Sequence, residues 1–86
     1  MKGVVNGYEL ITLSLYNGKR TIRVTFLIDG KPYLDSRTYE NIDEKQFLAI
    51  NELLEDYMGH NKNAEERSST IPWTTTLAEM QRIIYG

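Results

Sequence analysis

The sequence predicts an α+β fold in which an amphipathic helix packs on one face of a three-stranded antiparallel meander. Two glycine turns, Asn17-Gly18 and Asp29-Gly30, separate three strand-forming runs. A capping signature at Asp43 then precedes a stripe of apolar residues at helical spacing. We expect one domain of 86 residues, with a sheet over about 8–39, a helix over about 44–58, a mobile loop over about 60–71 and a short helix over about 77–85.

The first turn predicts the pairing of the first two strands. Asn-Gly suits a type I′ turn, which needs positive φ at both central residues, so Tyr16 should face Lys19. Continued regularly, this register gives one apolar face and one mostly polar face. The apolar face, which we expect to be buried, carries Ile11, Leu13, Leu15, Ile22, Val24 and Phe26.

Two registers compete at the second turn. A two-residue loop would place the charged Asp35 and Arg37 on the core face, where unpaired charges are costly. A three-residue loop with Gly30 in the left-handed conformation would instead place Leu34 opposite Val24. We therefore expect the three-residue loop, followed by an edge strand.

Capping residues predict both helices. Asp43 with Gln46 forms a capping box for the first helix, and Gly59 is its expected C-terminal cap. Thr76 with Glu79 forms a second box. The stripe expected to cover the sheet comprises Phe47, Ile50, Leu53, Leu54, Tyr57 and Met58. We expect the second helix to complete the core; the alternative is that this helix and Trp73 dock on a partner.

Composition limits the function classes. The chain has no cysteine, which excludes a disulfide scaffold, a thiol nucleophile and cysteine zinc sites, and we expect a cytoplasmic protein. No apolar run has the length of a membrane span. The single histidine, His60, has no assignable nucleophile or metal-binding companions. We expect no catalytic activity, no cofactor and no metal.

Two candidate binding surfaces emerge. The first is the sheet face away from the helix, rich in tyrosine and arginine, which are enriched at binding hot spots; its candidates are Tyr8, Tyr16, Arg23, Tyr33, Arg37 and Tyr39. The second is acidic or lies in the C-terminal region, with candidates Glu52, Glu55, Asp56 and Trp73. The formal net charge of -2 argues against generic nucleic-acid binding by the whole chain.

Three functions follow from these surfaces. The main hypothesis is a small non-enzymatic protein-interaction module, such as a bacteriophage or mobile-element regulator or inhibitor of a host protein. The alternative is nucleic-acid binding by the open sheet face. With Asn17-Gly18, Asp29-Gly30 and the helix after Asp43, the chain is similar in element order to the DNA-binding domains of phage-type integrases, which lay a three-stranded sheet in the major groove. A second alternative is a homo-oligomer, such as a homodimer paired through its edge strands.

Overall fold

The fold has two layers, a sheet and a pair of helices on one of its faces. The computed structural model describes residues 4–63 and 69–86. In chain order the elements are β1 (Gly7–Tyr16), β2 (Lys19–Ile28), β3 (Lys31–Pro32), β4 (Arg37–Ile42), α1 (Glu44–Lys62) and α2 (Trp73–Tyr85). All strand pairs are antiparallel, and β1, β3 and β4 each pair with β2. The predicted α+β architecture is confirmed, with the third strand of the meander split into β3 and β4.

The first hairpin turn has the predicted geometry. Asn17 and Gly18 have φ of 52° and 75°, as a type I′ turn requires, and Tyr16 pairs with Lys19. Ser14 also pairs with Thr21 as expected. The tip of the hairpin therefore follows directly from the Asn-Gly dipeptide.

Further along β1, a bulge changes which residues face the core. The register shifts by one residue between Thr12 and Ser14, so that Leu10, instead of Ile11, lies opposite Val24. One extra residue in a strand moves every residue beyond it to the other face. The predicted core face is therefore wrong for β1: Tyr8 and Leu10 pack against the core, while Ile11, Leu13 and Leu15 are exposed.

The second turn contradicts the predicted three-residue loop. Asp29 and Gly30 have φ of 51° and 82°, and Ile28 pairs with Lys31 across a two-residue loop. The chain then leaves the ladder over residues 33–36 and resumes pairing at Arg37. The two-residue loop was expected to place the charged Asp35 on the core face. Because of the interruption, Asp35 is exposed and this cost does not arise.

Hydrogen bonds stabilise the interruption. The hydroxyl groups of Thr25 and Ser36 lie 2.7 Å apart, and the Tyr33 N–H donates to the Phe26 carbonyl at 2.9 Å. When pairing resumes, Arg37 lies opposite Val24, on the helix side of the sheet. A charge thus enters this side after all, although its side chain is only half-buried.

Helix α1 starts at the predicted cap but extends beyond the predicted end. The Gln46 N–H donates to Asp43 Oδ1 at 2.7 Å, and the Asp43 N–H donates to Gln46 Oε1 at 3.0 Å, which completes the capping box. Gly59 lies inside the helix, which continues to Lys62, so the predicted C-cap at Gly59 is wrong. The final turn persists because tertiary contacts of the buried Asn61 hold it in place.

Helix α2 begins one turn earlier than the Thr76 cap predicts. It starts at Trp73, and the N–H groups of Thr75 and Thr76 already donate to the Pro72 carbonyl at 3.0 and 3.2 Å. Proline at the N-cap fits because its fixed φ is compatible with helix entry and the missing N–H is not needed there. Thr76 is fully buried inside the helix, so its predicted capping role is wrong.

The two helices run antiparallel in one layer. Gln46, near the start of α1, donates to the carbonyls of Ile83 and Ile84, near the end of α2, at 3.4 and 3.3 Å. At the other end, Asn61 of α1 binds the backbone of Ile71, just before α2. Residues 64–68 of the predicted mobile loop lie outside the described residues.

The core lies between this helix layer and one face of the sheet. Its buried apolar residues come from both layers: Val5, Ile22, Val24, Phe26, Tyr39, Ile42, Ile50, Leu54, Met58 and Met80. The predicted stripe of α1 is confirmed, because Ile50, Leu54 and Met58 are buried and its other members pack against the core. With α2 also on this side, neither helix of the described residues covers the opposite face of the sheet.

Candidate protein-interaction site

The β1–β2 hairpin projects beyond the helix layer. Every residue from Ile11 to Lys19 is exposed, and we call residues 11–19 the hairpin arm. The arm exists because two ten-residue strands are joined by a tight turn, while the helices cover only the other end of the sheet. It is the longest continuous run of exposed residues among those that the structure describes.

Arg20 fixes the base of the arm to the start of α1. Its guanidinium donates to Glu44 Oε2 at 2.9 Å and to Thr12 Oγ1 at 3.2 Å, and lies 4.3 Å from the centre of the Phe47 ring. The Arg20 side chain is only 19% exposed, whereas that of Glu44 is 61% exposed, so solvent screens the ion pair more than it screens the contact of Arg20 with the Phe47 ring. The orientation of the arm relative to α1 is therefore set by a specific side-chain contact.

Four large apolar side chains of β1 are exposed on the arm. Ile11, Leu13, Leu15 and Tyr16 are 38%, 47%, 56% and 77% exposed, and together they form what we call the β1 patch. Ile11 and Tyr16 lie opposite Arg23 and Lys19 on the open face, whereas Leu15 lies opposite Arg20 on the helix side. The β1 patch therefore extends around the outer edge of the strand.

This outer edge has no strand beside it among the described residues. β1 pairs only with β2, so alternate N–H and C=O groups along its other side are available for a further strand. Proteins usually protect such edges with charges or proline, but β1 has neither between Leu10 and Tyr16. The bulge at Leu13 and the exposed Glu9 nearer the start of the strand are the features that protect this edge in part.

The charges on the arm and its base are all basic. Between Leu10 and Ile28 the only charged residues are Lys19, Arg20 and Arg23. Lys19 and Arg23 are exposed, and neither forms an ion pair with a described residue. The arm and its base thus combine an apolar edge with two available positive charges.

The structure separates the residues of the predicted sheet-face site. Tyr8, Arg37 and Tyr39 lie opposite Phe26, Val24 and Ile22, on the side that the helices cover, so their predicted placement on the open face is wrong. The cause is the bulge in β1 for Tyr8 and the split third strand for the other two. Tyr39 is 7% exposed and its ring meets that of Tyr85 edge-on at 6.5 Å.

Tyr8 is tied to α1. Its hydroxyl donates to Asn51 Oδ1 at 3.5 Å, a long hydrogen bond. Burial raises the pKa of Tyr8 above its usual value, and the nearby carboxylate of Glu55 raises it further. Both the packing and the electrostatics of Tyr8 therefore belong to the sheet–helix interface.

The other candidates on the sheet remain accessible but do not form one cluster. Tyr16 and Arg23 lie on the arm and its base. Tyr33 lies in the interruption between β3 and β4, and its ring meets that of Trp73 edge-on at 6.5 Å. Trp73 is half-buried at the start of α2, so this residue serves the fold as well as the surface.

The acidic candidates Glu52, Glu55 and Asp56 are exposed on α1. Glu55 also lines a groove of about 580 Å³ between the start of β1, the second turn and the end of α1, together with Asp29, Met58 and Lys62. His60 lies at another point of α1, with its Nε2 3.0 Å from the Ser69 carbonyl oxygen. None of these residues belongs to the hairpin arm.

Among residues 4–63 and 69–86, no group of three or more histidine, cysteine, aspartate or glutamate residues could hold a metal ion. Neither helix in the described part of the chain is long and apolar enough to cross a membrane. Comparison of the chain with protein-family models, curated proteins and solved structures found no match.

Proposed function

We propose that this chain is a small non-enzymatic protein-interaction module that binds its partner through the β1 patch. The observation that carries the proposal is the exposure of Leu13 and Leu15, 47% and 56%, beside the unpaired edge of β1. Contiguous apolar side chains on a surface are costly unless they bind something. An unpaired edge adds backbone hydrogen-bonding groups, which a partner strand can use.

The geometry of the arm supports this function. An extended partner segment could pair with the outer edge of β1 as a fifth strand of the sheet. The side chains around this edge would contact the segment on both faces of the sheet. Tyr16 offers a large aromatic surface with a polar end, which suits interface cores. Lys19 and Arg23 next to the patch would favour a partner with acidic groups at the rim.

We further propose that the module acts in the cytoplasm as a regulator or inhibitor of a host protein, in the manner of small bacteriophage or mobile-element products. The small size and the projecting arm are compatible with a protein that blocks a surface of a larger one. The acidic residues Glu52, Glu55 and Asp56 and the Trp73 region stay second choices as contact surfaces, since the first three are charged and Trp73 is half-buried.

Nucleic-acid binding by the arm is a second candidate. It is supported by Lys19 and Arg23, the only charges on the exposed side of the arm and its base. It has lost the support of Tyr8, Arg37 and Tyr39, which face the helices. Anisotropy titration of labelled duplex and single-stranded DNA checks this candidate, which requires binding that weakens steeply as salt is raised.

Site-specific photo-crosslinking tests the main proposal. Leu13 is replaced by the photo-crosslinking amino acid p-benzoylphenylalanine, and the purified protein is irradiated in a bacterial lysate. The matched control carries the same replacement at Leu48, which is 57% exposed on α1. We expect discrete protein adducts from position 13 that are absent from position 48.

The adduct masses report the occupant of the patch. An adduct of twice the chain mass identifies a second copy, whereas any other discrete mass identifies a different protein. The same weak pattern from positions 13 and 48 would overturn the proposal, because two side chains of similar exposure would then be equally inert.

A further inference from the structure

We infer that the β1 patch is occupied by a second copy of this chain, joined by antiparallel pairing of two β1 strands across a two-fold axis between Thr12 and Leu13. This inference rests on the proposed function, because it uses the same patch and names its partner. In such a dimer a host protein would bind outside the β1 patch, at the second candidate surface of Glu52, Glu55, Asp56 and Trp73. An isologous contact of this kind needs a surface that is complementary to itself. β1 is complementary to itself in two respects, namely the faces on which its side chains lie and the placement of its charges.

The phase of the side chains depends on the bulge. Before the bulge, Glu9 and Ile11 lie on the open face and Leu10 on the helix side; after it, Ser14 and Tyr16 lie on the open face and Leu15 on the helix side. Residues directly opposite each other in an antiparallel pair must lie on the same face. A register that is symmetric about the bulge meets this requirement on both sides of the axis.

This register makes specific pairs. On the helix side, Leu10 lies opposite the partner's Leu15. On the open face, Ile11 lies opposite the partner's Ser14, and Glu9 lies opposite the partner's Tyr16. Leu15 is 56% exposed in the single chain, and in the dimer it gains an apolar neighbour, the partner's Leu10, which packs against the core of its own copy.

The charges in this register are complementary. Glu9 is the only charged residue of β1, and it meets the tyrosine of the other copy instead of a like charge. Beyond that tyrosine, one strand further, lies the partner's Lys19, because Lys19 pairs with Tyr16 in the hairpin. The two-fold axis repeats this arrangement, so two acidic residues each approach a basic residue of the other copy.

The contact is small, so the expected dimer is weak. The exposed parts of the four patch side chains amount to roughly 400 Å² per copy, so the total of about 800 Å² lies below the range of about 1,200–2,000 Å² for stable specific interfaces. We expect a dissociation constant on the order of 10–100 µM. The dimer would then form a continuous sheet through both copies.

Sedimentation equilibrium with matched variants tests the dimer. We expect the wild-type mass to approach that of two chains as the concentration rises to about 1 mM. Leu15→Lys places a charge against the partner's Leu10 and should weaken association at least about 30-fold, since an unpaired charge is costly at an apolar contact. Leu48→Lys, at a residue of nearly equal exposure on α1, should leave it unchanged.

Disulfide trapping tests the register. The chain has no cysteine, so Ile11→Cys and Ser14→Cys can be made in separate chains and mixed under oxidation. Directly opposite strand positions come close enough for a disulfide. We expect the mixed disulfide to form faster than the disulfide between Ile11→Cys and Thr38→Cys, whose added thiol lies on the other edge strand.

The outcomes separate the inference from the proposed function. A monomer at about 1 mM overturns the second copy; if position 13 still gives a photo-adduct of another mass, the interaction function stands with a different partner. A monomer with no position-specific adduct overturns both. A dimer that Leu15→Lys leaves intact, or equal trapping of both cysteine pairs, overturns the β1 pairing.

Discussion

At the residue scale, Asn61 connects three parts of the chain. It is 3% exposed, and its amide nitrogen donates to the carbonyls of Val5 and Ile71, both at 2.7 Å. Its amide oxygen accepts from the Ile71 N–H at 2.8 Å. The residue therefore joins the start of the chain, the last turn of α1 and the segment before α2. It sits in a polar stretch of sequence with no feature that indicates burial.

We predict that Asn61→Ala lowers the free energy of unfolding by about 2–4 kcal/mol, because buried and half-buried backbone groups lose their hydrogen-bond partner. Urea denaturation followed by circular dichroism measures this change. Asn63→Ala is the control, since Asn63 is exposed and its side-chain amide donates to the Gly59 carbonyl of the same helix, at 3.1 Å. Equal effects of the two substitutions would contradict the prediction, because the side-chain hydrogen bonds of Asn61 would then contribute no more to stability than that of Asn63.

At the element scale, the two glycines Gly30 and Gly59 have opposite roles. Gly30 has φ of +82° in the turn between β2 and β3. Gly59 lies inside α1 with helical neighbours on both sides, and a methyl group built there would meet nothing within 4 Å. Only the first position requires glycine for its backbone conformation.

We predict that Gly59→Ala raises the free energy of unfolding by about 0.5–1 kcal/mol, because alanine loses less conformational entropy in a helix. Gly30→Ala should lower it by about 1–2 kcal/mol, because a side chain is strained in the left-handed region. Thermal and urea denaturation of both variants measure these changes. A loss of stability in Gly59→Ala would instead support the helix end that the sequence alone predicts at Gly59.

The bulge in β1 is also decided at this scale. In the first half of β1 the apolar residues Tyr8 and Leu10 occupy even-numbered positions. In the second half Ile11, Leu13 and Leu15 occupy odd-numbered positions. Adjacent apolar residues at Leu10 and Ile11 are the only sequence signal that the phase changes. A local pattern cannot choose which half faces the core, because either choice buries apolar side chains. The helix layer chooses, since it covers only the end of the sheet that carries Tyr8 and Leu10.

At the scale of the whole molecule, α2 belongs to the core. Met80 and Thr76 are fully buried, and Met80 lies in the same cluster as Ile50 and Val24. A domain of this size has a free energy of unfolding of about 5–10 kcal/mol, so each core contact matters. This arrangement decides against α2 as a free docking helix.

We predict that Met80→Ala lowers the free energy of unfolding by about 2–4 kcal/mol and shifts the unfolding of the whole domain, since it leaves a cavity between the layers. Urea denaturation monitored by both Trp73 fluorescence and far-UV circular dichroism measures this. Leu48→Ala, at an exposed position of α1, should change the value by less than about 0.5 kcal/mol. Separate transitions for the two probes would mean that α2 unfolds independently of the sheet.

The sequence by itself determined the parts of this protein whose signals are local. The Asn17-Gly18 turn, the Asp43 capping box and the apolar stripe of α1 are each specified by residues a few positions apart, so a short window predicts them. The order of strands and helices followed from these signals. The interaction function stays a proposal, and its candidate residues changed from a tyrosine and arginine face to the apolar edge of β1.

Only the tertiary structure decided the bulge at Leu13, the interruption after Pro32, the end of α1, the start of α2 and the side on which α2 packs. Each depends on contacts between residues far apart in the chain, such as Asn61 with Val5 or Tyr39 with Tyr85. The burial free energy of such contacts outweighs weak local preferences at a strand position or helix end. The β1 patch itself is a result of that competition, because the side chains left outside the core are those that the helices do not reach.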